Sequence, residues 1–140
     1  MRCTEIMTSE PECCLPTDSV MKAARLMKSE DVGPIPIVAD RDSKKLAGII
    51  TDRDLAIKVV AEGRDPNATS IQEVMTQDVV TCNEEDDVKQ VLKLMEKHQV
   101  RRIPVVGRDD QLLGIIAQAD VATRLGRDQL TGQMVEEISH

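Results

Sequence analysis

The sequence predicts an α+β fold built from two tandem copies of one unit, and three observations lead to this prediction. Short apolar segments bounded by turn residues alternate with segments in which apolar residues recur at helical spacing. The motif Gly-Ile-Ile, followed by an aspartate four residues after its last isoleucine, occurs at residues 48–54 and again at 114–120. Further pairs of like residues in the two halves lie at a constant offset of 68 residues.

The repeat covers most of the chain. The pairs at the offset of 68 are Met7-Thr8 with Met75-Thr76, Cys14 with Cys82, Val20 with Val88, Leu26-Met27 with Leu94-Met95, and Ile35-Pro36 with Ile103-Pro104. The offset becomes 66 after the polar turn at Asp40–Lys45, which is two residues longer than its counterpart. We therefore predict a first repeat at 1–66, a second at 67–127, and a C-terminal tail at 128–140 with apolar residues at helical spacing. A repeat of about 60 residues is marginal alone, so the two are expected to share a buried interface.

The segment from Leu46 to Asp54 is the most informative part of the chain. It predicts a buried strand over Leu46–Ile50, with Gly48 where a side chain would block another backbone. A helix follows from about residue 52 to 62, with Thr51 or Asp52 as its N-cap. Thr51 and Asp54 then share the first turn, where one carboxylate could accept both hydroxyls of a vicinal diol such as a ribose. The alternative is that the two residues only cap the helix.

Upstream of that segment the first repeat predicts two further strands and a helix. Cys13–Leu15 is expected to be a short strand between prolines. Thr17 or Asp18 is expected to start a helix, since the apolar residues that follow recur with a period of 3.6. Pro34 and Pro36 then flank Ile35 in the next strand, which favours a sheet edge or a strand start and would leave part of this backbone open to a ligand.

The second copy repeats this order with one marked difference. Val79–Thr81 is expected to be a strand, and the acidic run Glu84–Asp87 is expected to open a helix whose dipole it suits. Arg101 and Arg102 then stand at the positions of Gly33-Pro34 in the first copy. Adjacent arginines entering a half-buried strand are consistent with a surface pair or with a bound anion.

Composition limits the possible ligands and partners. The chain has no Phe, Tyr or Trp, so its core must be aliphatic and any base it binds must lie between aliphatic side chains. The formal net charge of −7 argues against nucleic acid or an anionic membrane as the main partner. It leaves a mononucleotide possible, because screening beyond roughly 8 Å lets two well-placed arginines outweigh distant charges.

No apolar run approaches the roughly 20 residues of a membrane span, and the N-terminus lacks a signal-peptide pattern. We therefore predict a cytoplasmic protein whose four cysteines are reduced thiols. Cys14 and Cys82 occupy equivalent positions of the two repeats, which favours a packing role for this pair. Their spacing matches no zinc or Cys-x-x-Cys pattern, although a redox or metal role for Cys13-Cys14 is an alternative. The sequence predicts no metal site. It shows no nucleophile–base pair or phosphate-binding loop, so no enzymatic activity is predicted.

The Met-Thr openers, the strands Ile-Pro-Ile-Val and Ile-Pro-Val-Val, and the motif Gly-Ile-Ile-Thr-x-x-Asp together resemble the CBS domain. Two in tandem, from Met7 to about Leu125, resemble a stand-alone CBS pair, or Bateman module, of the small bacterial signalling and hypoxic-response type. The resemblance implies two repeats related by a pseudo-twofold axis, each a small sheet of about three strands packed by two helices. It also implies a homodimer, and an adenine nucleotide bound between the repeats as a regulatory ligand.

The resemblance assigns residues to two clefts. In the main cleft Thr51 and Asp54 would hold the ribose, Thr76, Val80, Thr81 and Val100 would surround the adenine, and Arg101 and Arg102 would meet the phosphates. In the second cleft Asp120 would act with Thr8, Cys13, Val32 and Gly33. That cleft has Ala117 in place of Thr51 and no arginine pair, so weaker binding is expected there.

Three questions stay open at this stage. The ligand is AMP, ADP, ATP, an NAD-type dinucleotide or S-adenosylmethionine, since all of them carry adenosine. The sites are alternatively vestigial, in which case the pair would serve only for dimerisation or for docking to another protein. A small redox or metal protein built on the cysteines is a third possibility, and it would need an accessible thiolate.

Overall fold

The computed structural model describes residues 1–126 and shows the expected alternation of strands and helices. Its strands are β1 (Thr8–Ser9), β2 (Ile35–Val38), β3 (Leu46–Ile50), β4 (Cys82–Asn83), β5 (Arg102–Val106) and β6 (Leu112–Ala117). Its α-helices are α1 (Val20–Glu30), α2 (Asp52–Leu55), α3 (Val88–His98) and α4 (residues 118–126). The predicted α+β class is confirmed. The predicted helical tail at 128–140 lies outside the described residues.

Several element boundaries differ from those expected. Helix α1 begins at Val20 with Ser19 as its N-cap, because the Asp18 carboxylate accepts a hydrogen bond from the Leu15 N–H (2.8 Å) and so closes a turn before the helix. Cys13–Leu15 is reduced to one bridge, between Cys14 and Ile37. Residues 79–81 are not a strand, and the strand of this segment is β4.

The helix predicted for residues 52–62 changes its type along its length. It is α-helical over Asp52–Leu55 and continues as a π-helix over Ala56–Val60. The helical segment ends at Val60, two residues before the predicted end, and Gly63 in the turn that follows has a φ of 66°, a left-handed conformation that favours glycine. In the second repeat Asp87 caps α3, so only the last residue of the acidic run takes part in starting that helix.

The two repeats have the same arrangement of strands, but it is more fully formed in the second repeat. In the second repeat, β6 pairs with both β1 and β5 in antiparallel fashion, and β4 lies parallel to β5. The first repeat has the antiparallel pair β2–β3. Its two outer positions are single bridges, Cys14 with Ile37 and Thr76 with Ile49. Both sheets therefore have the same order of four segments, and equivalent pairings in the two repeats are separated by the sequence offsets of 66 and 68 residues.

Each sheet is completed by a segment from the other repeat. We call residues 1–9 and 70–76, which open the two repeats, the lead-in segments. The first lead-in segment supplies β1 to the sheet of the second repeat, and Cys3 is fully buried in that repeat's core. The second supplies Thr76 to the sheet of the first repeat, and Ile71 and Val74 are buried in its core. The repeats therefore exchange segments, and the boundary at residue 66 remains a prediction.

Two glycines allow the exchanged segments to approach. A Cβ atom at Gly48 would lie 2.8 Å from the carbonyl oxygen of Thr76, and one at Gly114 would lie 2.6 Å from that of Thr8. Both distances are shorter than real Cβ contacts allow, and the neighbouring atom is backbone, which yields little. The close approach expected at Gly48 is thus observed, and it is made by the lead-in segment of the other repeat.

Substitution of Gly114 tests how much the close contact between β6 and the first lead-in segment contributes to the stability of the fold. We expect Gly114→Ala to lower the free energy of unfolding by about 1–3 kcal/mol, as overpacking of an interior site does. Gly126→Ala is the matched control, because nothing lies within 4 Å of its added Cβ. Urea denaturation of both variants measures the difference. Equal stability of the two variants would contradict the steric argument.

Candidate functional site

A cleft of about 990 Å³ lies between the two repeats and draws residues from both. This volume is at the upper end of the range typical of small-molecule sites, which is about 300–1,000 Å³. The lining residues are Asp31, Gly33, Pro34, Ile49, Thr51, Asp52, Thr76, Asp78, Val79, Val80, Val100, Arg101, Arg102, Pro104, Ala117, Gln118, Ala119 and Ala122.

The structure brings most of the residues predicted for the main cleft into this one cavity. The predicted residues that line it are Thr51, Thr76, Val80, Val100, Arg101 and Arg102. Asp54 and Thr81 do not line it. Of the residues predicted for the second cleft, Gly33 lines the same cavity, whereas Thr8, Cys13, Val32 and Asp120 do not. Contact of any of these residues with a ligand remains a prediction.

Asp54 lies just behind the cleft wall and is tightly held. Its Oδ2 accepts a hydrogen bond from the Thr51 N–H (3.0 Å), while the Thr51 Oγ1 accepts one from the Asp54 N–H (3.1 Å). The capping alternative therefore describes the local structure. The Nζ of Lys58 lies 3.1 Å from Asp54 Oδ1 and donates a hydrogen bond to the carbonyl of Val74 (3.0 Å). A carboxylate has about four acceptor positions, so these contacts leave capacity for a diol.

One wall of the cleft is aliphatic and is formed where the second lead-in segment joins the first sheet. Thr76 and Ile49 exchange two backbone hydrogen bonds, of 2.8 and 2.9 Å. Val80 and Val100, both half-buried, lie on the same cavity together with Pro104. Since the chain has no aromatic residue, a planar base could be enclosed here only by such aliphatic side chains.

The arginine pair lies where β5 begins. Arg102 is half-buried and Arg101 is exposed, and the carbonyl of Arg101 accepts a hydrogen bond from the N–H of Gln118 (2.7 Å). Within residues 1–126 neither guanidinium takes part in an ion pair. Guanidinium groups without a carboxylate partner are suited to bidentate contact with phosphate or carboxylate oxygens of a ligand.

Three carboxylates in the cleft were not anticipated from the sequence. Asp31 follows α1 in the left-handed conformation (φ 53°), Asp52 is the first residue of α2, and Asp78 follows the second lead-in segment. The N–H of Asp52 donates to the carbonyl of Gly33 (3.2 Å), which fixes this helix start against the neighbouring turn. The location of Asp52 at the cleft could have been inferred, because Asp52 directly follows the N-cap Thr51, for which a ligand contact was predicted. Asp31 and Asp78 lie in loops, where the sequence has no periodicity from which the facing of a side chain could be predicted.

Cys13, assigned to the second cleft, lines a separate depression. That depression has a volume of about 190 Å³, and its lining residues are Glu10, Pro11, Glu12, Cys13, Arg41 and Lys44. Asp120 is exposed on α4, and Thr8 is exposed and pairs with Ile115 in the sheet. The residues predicted for the second cleft are therefore not gathered around one cavity.

The thiols do not have the properties of a redox site. All four cysteines are free, and Cys3, Cys14 and Cys82 are buried. Burial raises the pKa of the Cys14 thiol to about 11 and raises the pKa of Cys82 as well. Burial also raises the pKa of Cys13, more than the neighbouring charge of Arg41 lowers it. A reactive thiol needs a lowered pKa and access to solvent, so these four groups fit packing roles.

The part of the chain that the structure describes holds neither a cluster of metal-ligating side chains nor a membrane-spanning helix. Residues 1–126 contain no group of three or more His, Cys, Asp or Glu side chains placed to hold a metal ion. None of the helices within these residues is long and apolar enough to cross a membrane.

Two pseudo-symmetric α+β repeats that exchange segments and enclose a cleft define a paired-repeat module. The family model described as the CBS domain matches residues 3–61 and 71–127. The chain thus belongs to the CBS domain family and contains two copies, which confirms the resemblance inferred from the motifs.

Individual relatives agree with this assignment. The chain is 36% identical over 121 residues to Hypoxic response protein 1 of Mycobacterium tuberculosis, covering 86% of this chain and 82% of that protein. A crystal structure of Hypoxic Response Protein I with two coordinated zinc ions has a TM-score of 0.79 at 33% identity, covering 88% and 98% of the two chains. The CBS pair of protein MJ0100, in complex with 5′-methylthioadenosine and S-adenosyl-L-methionine, has a TM-score of 0.78 at 29% identity, covering 91% and 98%.

Burial of the thiols yields a prediction about their reactivity. We expect Cys13, the one half-buried cysteine, to be alkylated first in the native protein at neutral pH. The other three should react only on unfolding, since they are shielded and almost fully protonated. Mass spectrometry after maleimide treatment, with and without guanidinium chloride, measures this. Fast native alkylation of Cys14 or Cys82 would contradict the packing role.

Proposed function

We propose that this CBS pair is a regulatory module that binds an adenosine-containing nucleotide in the cleft between its repeats and catalyses no reaction. One observation carries the proposal. A single cavity is lined by Thr51, by an aliphatic wall that includes Val80 and Val100, and by Arg101 and Arg102, which form no ion pair within residues 1–126. These three kinds of group suit the ribose, the base and the phosphate of a nucleotide, respectively.

In this proposal Thr51 and Asp54 hold the ribose, and Lys58 keeps the Asp54 carboxylate in place. Thr76, Val80, Thr81 and Val100 surround the adenine, and the arginine pair contacts phosphate. The regulatory and cytoplasmic character of the protein is part of the proposal, and the free thiols are consistent with a reducing compartment. The complex of protein MJ0100 with two adenosine derivatives supports the ligand class.

We also propose that the module is a homodimer. Ile57 is 47% exposed and Val60 is 76% exposed, and both lie on the helical segment that follows Asp54. Two large apolar side chains so close together on one helix favour contact with another chain. Because this segment also carries Lys58, a dimer contact there would adjoin the ligand cleft.

The runner-up is a ligand-free interaction module, and one observation favours it. Both oxygens of the Asp54 carboxylate are already engaged, by the Thr51 N–H and by Lys58, so the group is satisfied without a ligand. In that case the exposed apolar helix would be the functional surface.

Binding itself can be tested by thermal unfolding. A ligand that binds only the folded state should raise the melting temperature, with a gain of about 2.7 kcal/mol at a hundredfold excess over Kd. Because the chain has no Trp or Tyr, a co-purified nucleotide would dominate its near-ultraviolet spectrum and can be identified by mass spectrometry. If adenosine, AMP, ATP, NAD and S-adenosylmethionine all leave the melting curve unmoved at millimolar concentration, the interaction module becomes the better explanation.

The roles within the cleft can be separated by calorimetry. Asp54→Asn keeps an acceptor for the Thr51 N–H but removes the charge, and it should weaken adenosine and AMP alike by about ten- to a hundredfold. Arg102→Ala should weaken AMP while leaving adenosine nearly unaffected, since its contact is with phosphate. Asp120→Asn is the matched control, being the equivalent carboxylate in the second repeat. Loss of tight binding in Asp120→Asn, with Asp54→Asn unaffected, would show that the main cleft is assigned to the wrong repeat.

The assembly is tested at Val60. Val60→Asp places a charge in the exposed apolar surface and should give a monomer mass by light scattering at micromolar concentration, because an unpaired charge is costly to bury in an interface. Ala68→Asp, at an exposed loop position, adds the same charge and should leave the dimer intact. A native protein that is monomeric with and without nucleotide would refute the dimer.

A further inference from the structure

The cleft is lined by more acidic than basic side chains. Three carboxylates, those of Asp31, Asp52 and Asp78, line the same cavity as the guanidinium groups of Arg101 and Arg102. The formal charge of the lining is therefore negative by one unit. A cleft meant for a highly charged polyphosphate would be expected to have an excess of cations.

These five groups are not neutralised by one another. Within residues 1–126 no ion pair joins any of them to a partner. The Asp52 carboxylate accepts only a local hydrogen bond, from the N–H of Arg53 (3.0 Å). Their charges are consequently available to attract or repel a ligand.

One of the three carboxylates, that of Asp52, lies beside the residue of the first repeat that corresponds to Arg101. Gly33 occupies the position that Arg101 has in the second repeat, and the space beside it is taken by Asp52. A Cβ atom at Gly33 would lie 3.3 Å from Asp52 Oδ1. At this position the second repeat therefore presents a guanidinium and the first repeat a carboxylate. Asp31 also belongs to the first repeat, and Asp78 follows the second lead-in segment, which joins the first sheet at Ile49. We call these three carboxylates the acidic wall of the cleft.

We propose that the acidic wall sets the charge of the ligand, so that the cleft prefers an adenosine ligand with one phosphate to one with three. This inference rests on the proposed function and specifies its ligand class. A monophosphate carries a charge of about −1.5 to −2 at neutral pH, which two arginines can match. The further phosphates of a triphosphate add negative charge beside three carboxylates. The two arginines of the lining would already be matched by the first phosphate. Like charges a few ångströms apart near a protein surface repel strongly enough to change affinity by about tenfold or more.

Calorimetry with adenosine, AMP and ATP, in EDTA to remove divalent cations, tests the proposal. In the native protein AMP should bind about tenfold or more tightly than ATP. The triple variant Asp31→Asn, Asp52→Asn, Asp78→Asn should tighten ATP by at least about tenfold, tighten AMP less, and leave adenosine unchanged. Asn tolerates the left-handed conformation of residue 31, so the backbone should not be strained there. Asp42→Asn, on the exposed hairpin outside the cleft, is the charge-matched control and should change none of the three affinities.

The outcomes separate this inference from the function on which it rests. Failure of adenosine, AMP and ATP alike to bind would refute binding of these ligands in the proposed function, and the charge preference with it. Tight binding of adenosine and AMP, with ATP binding as well as AMP, would refute the charge preference alone. Equal tightening of all three ligands in the triple variant would also refute it, because a change of structure would explain that result. If the triple variant is unfolded by circular dichroism, Asp78→Asn, which changes one loop residue, must still narrow the gap between AMP and ATP, or the inference fails.

Discussion

The structure depends on the contact between each lead-in segment and the central strand of the other repeat. At Gly48 and Gly114 the backbone of the lead-in segment comes so near that a single added carbon would overlap a carbonyl oxygen. This approach lets the sheet pairings Thr76 with Ile49 and Thr8 with Ile115 form. Because both cores also receive buried side chains from the exchanged segments, neither repeat has a complete core of its own.

The cleft is a result of the same contact. Thr76 is held at the cleft wall by its two backbone hydrogen bonds to Ile49, and Lys58 connects the carboxylate of Asp54 to the carbonyl of Val74 two residues before Thr76. The ribose-side and base-side residues of the candidate site are therefore linked through the backbone of one exchanged segment. A ligand that touches both sides would stabilise the junction between the repeats.

Much of this could be predicted from the sequence, because repetition and periodicity report on local structure and on pairs of equivalent residues. The two copies, the helix cap at Thr51 and the close approach at Gly48 followed from them. The cleft residues were assigned by the resemblance to the CBS domain, and six of the eight assigned to the main cleft line the cavity. The start of α1 was placed too early, because the Asp18 carboxylate closes a turn with Leu15 in place of capping the helix. The exchange of lead-in segments and the entry of Asp31 and Asp78 into the cleft depend on long-range packing, on which a single sequence carries no signal.

The exchange also bears on how such a fold can exist in a shorter form. A polypeptide that carried one repeat alone would have a lead-in segment with no second sheet to join, and a sheet whose outer position was empty. Two such polypeptides could satisfy both needs by giving their segments to each other, which is the arrangement known as domain swapping. Seen in this way, the chain is a swapped dimer whose two halves have been joined in one polypeptide, and residues 63–67 are the joint between them.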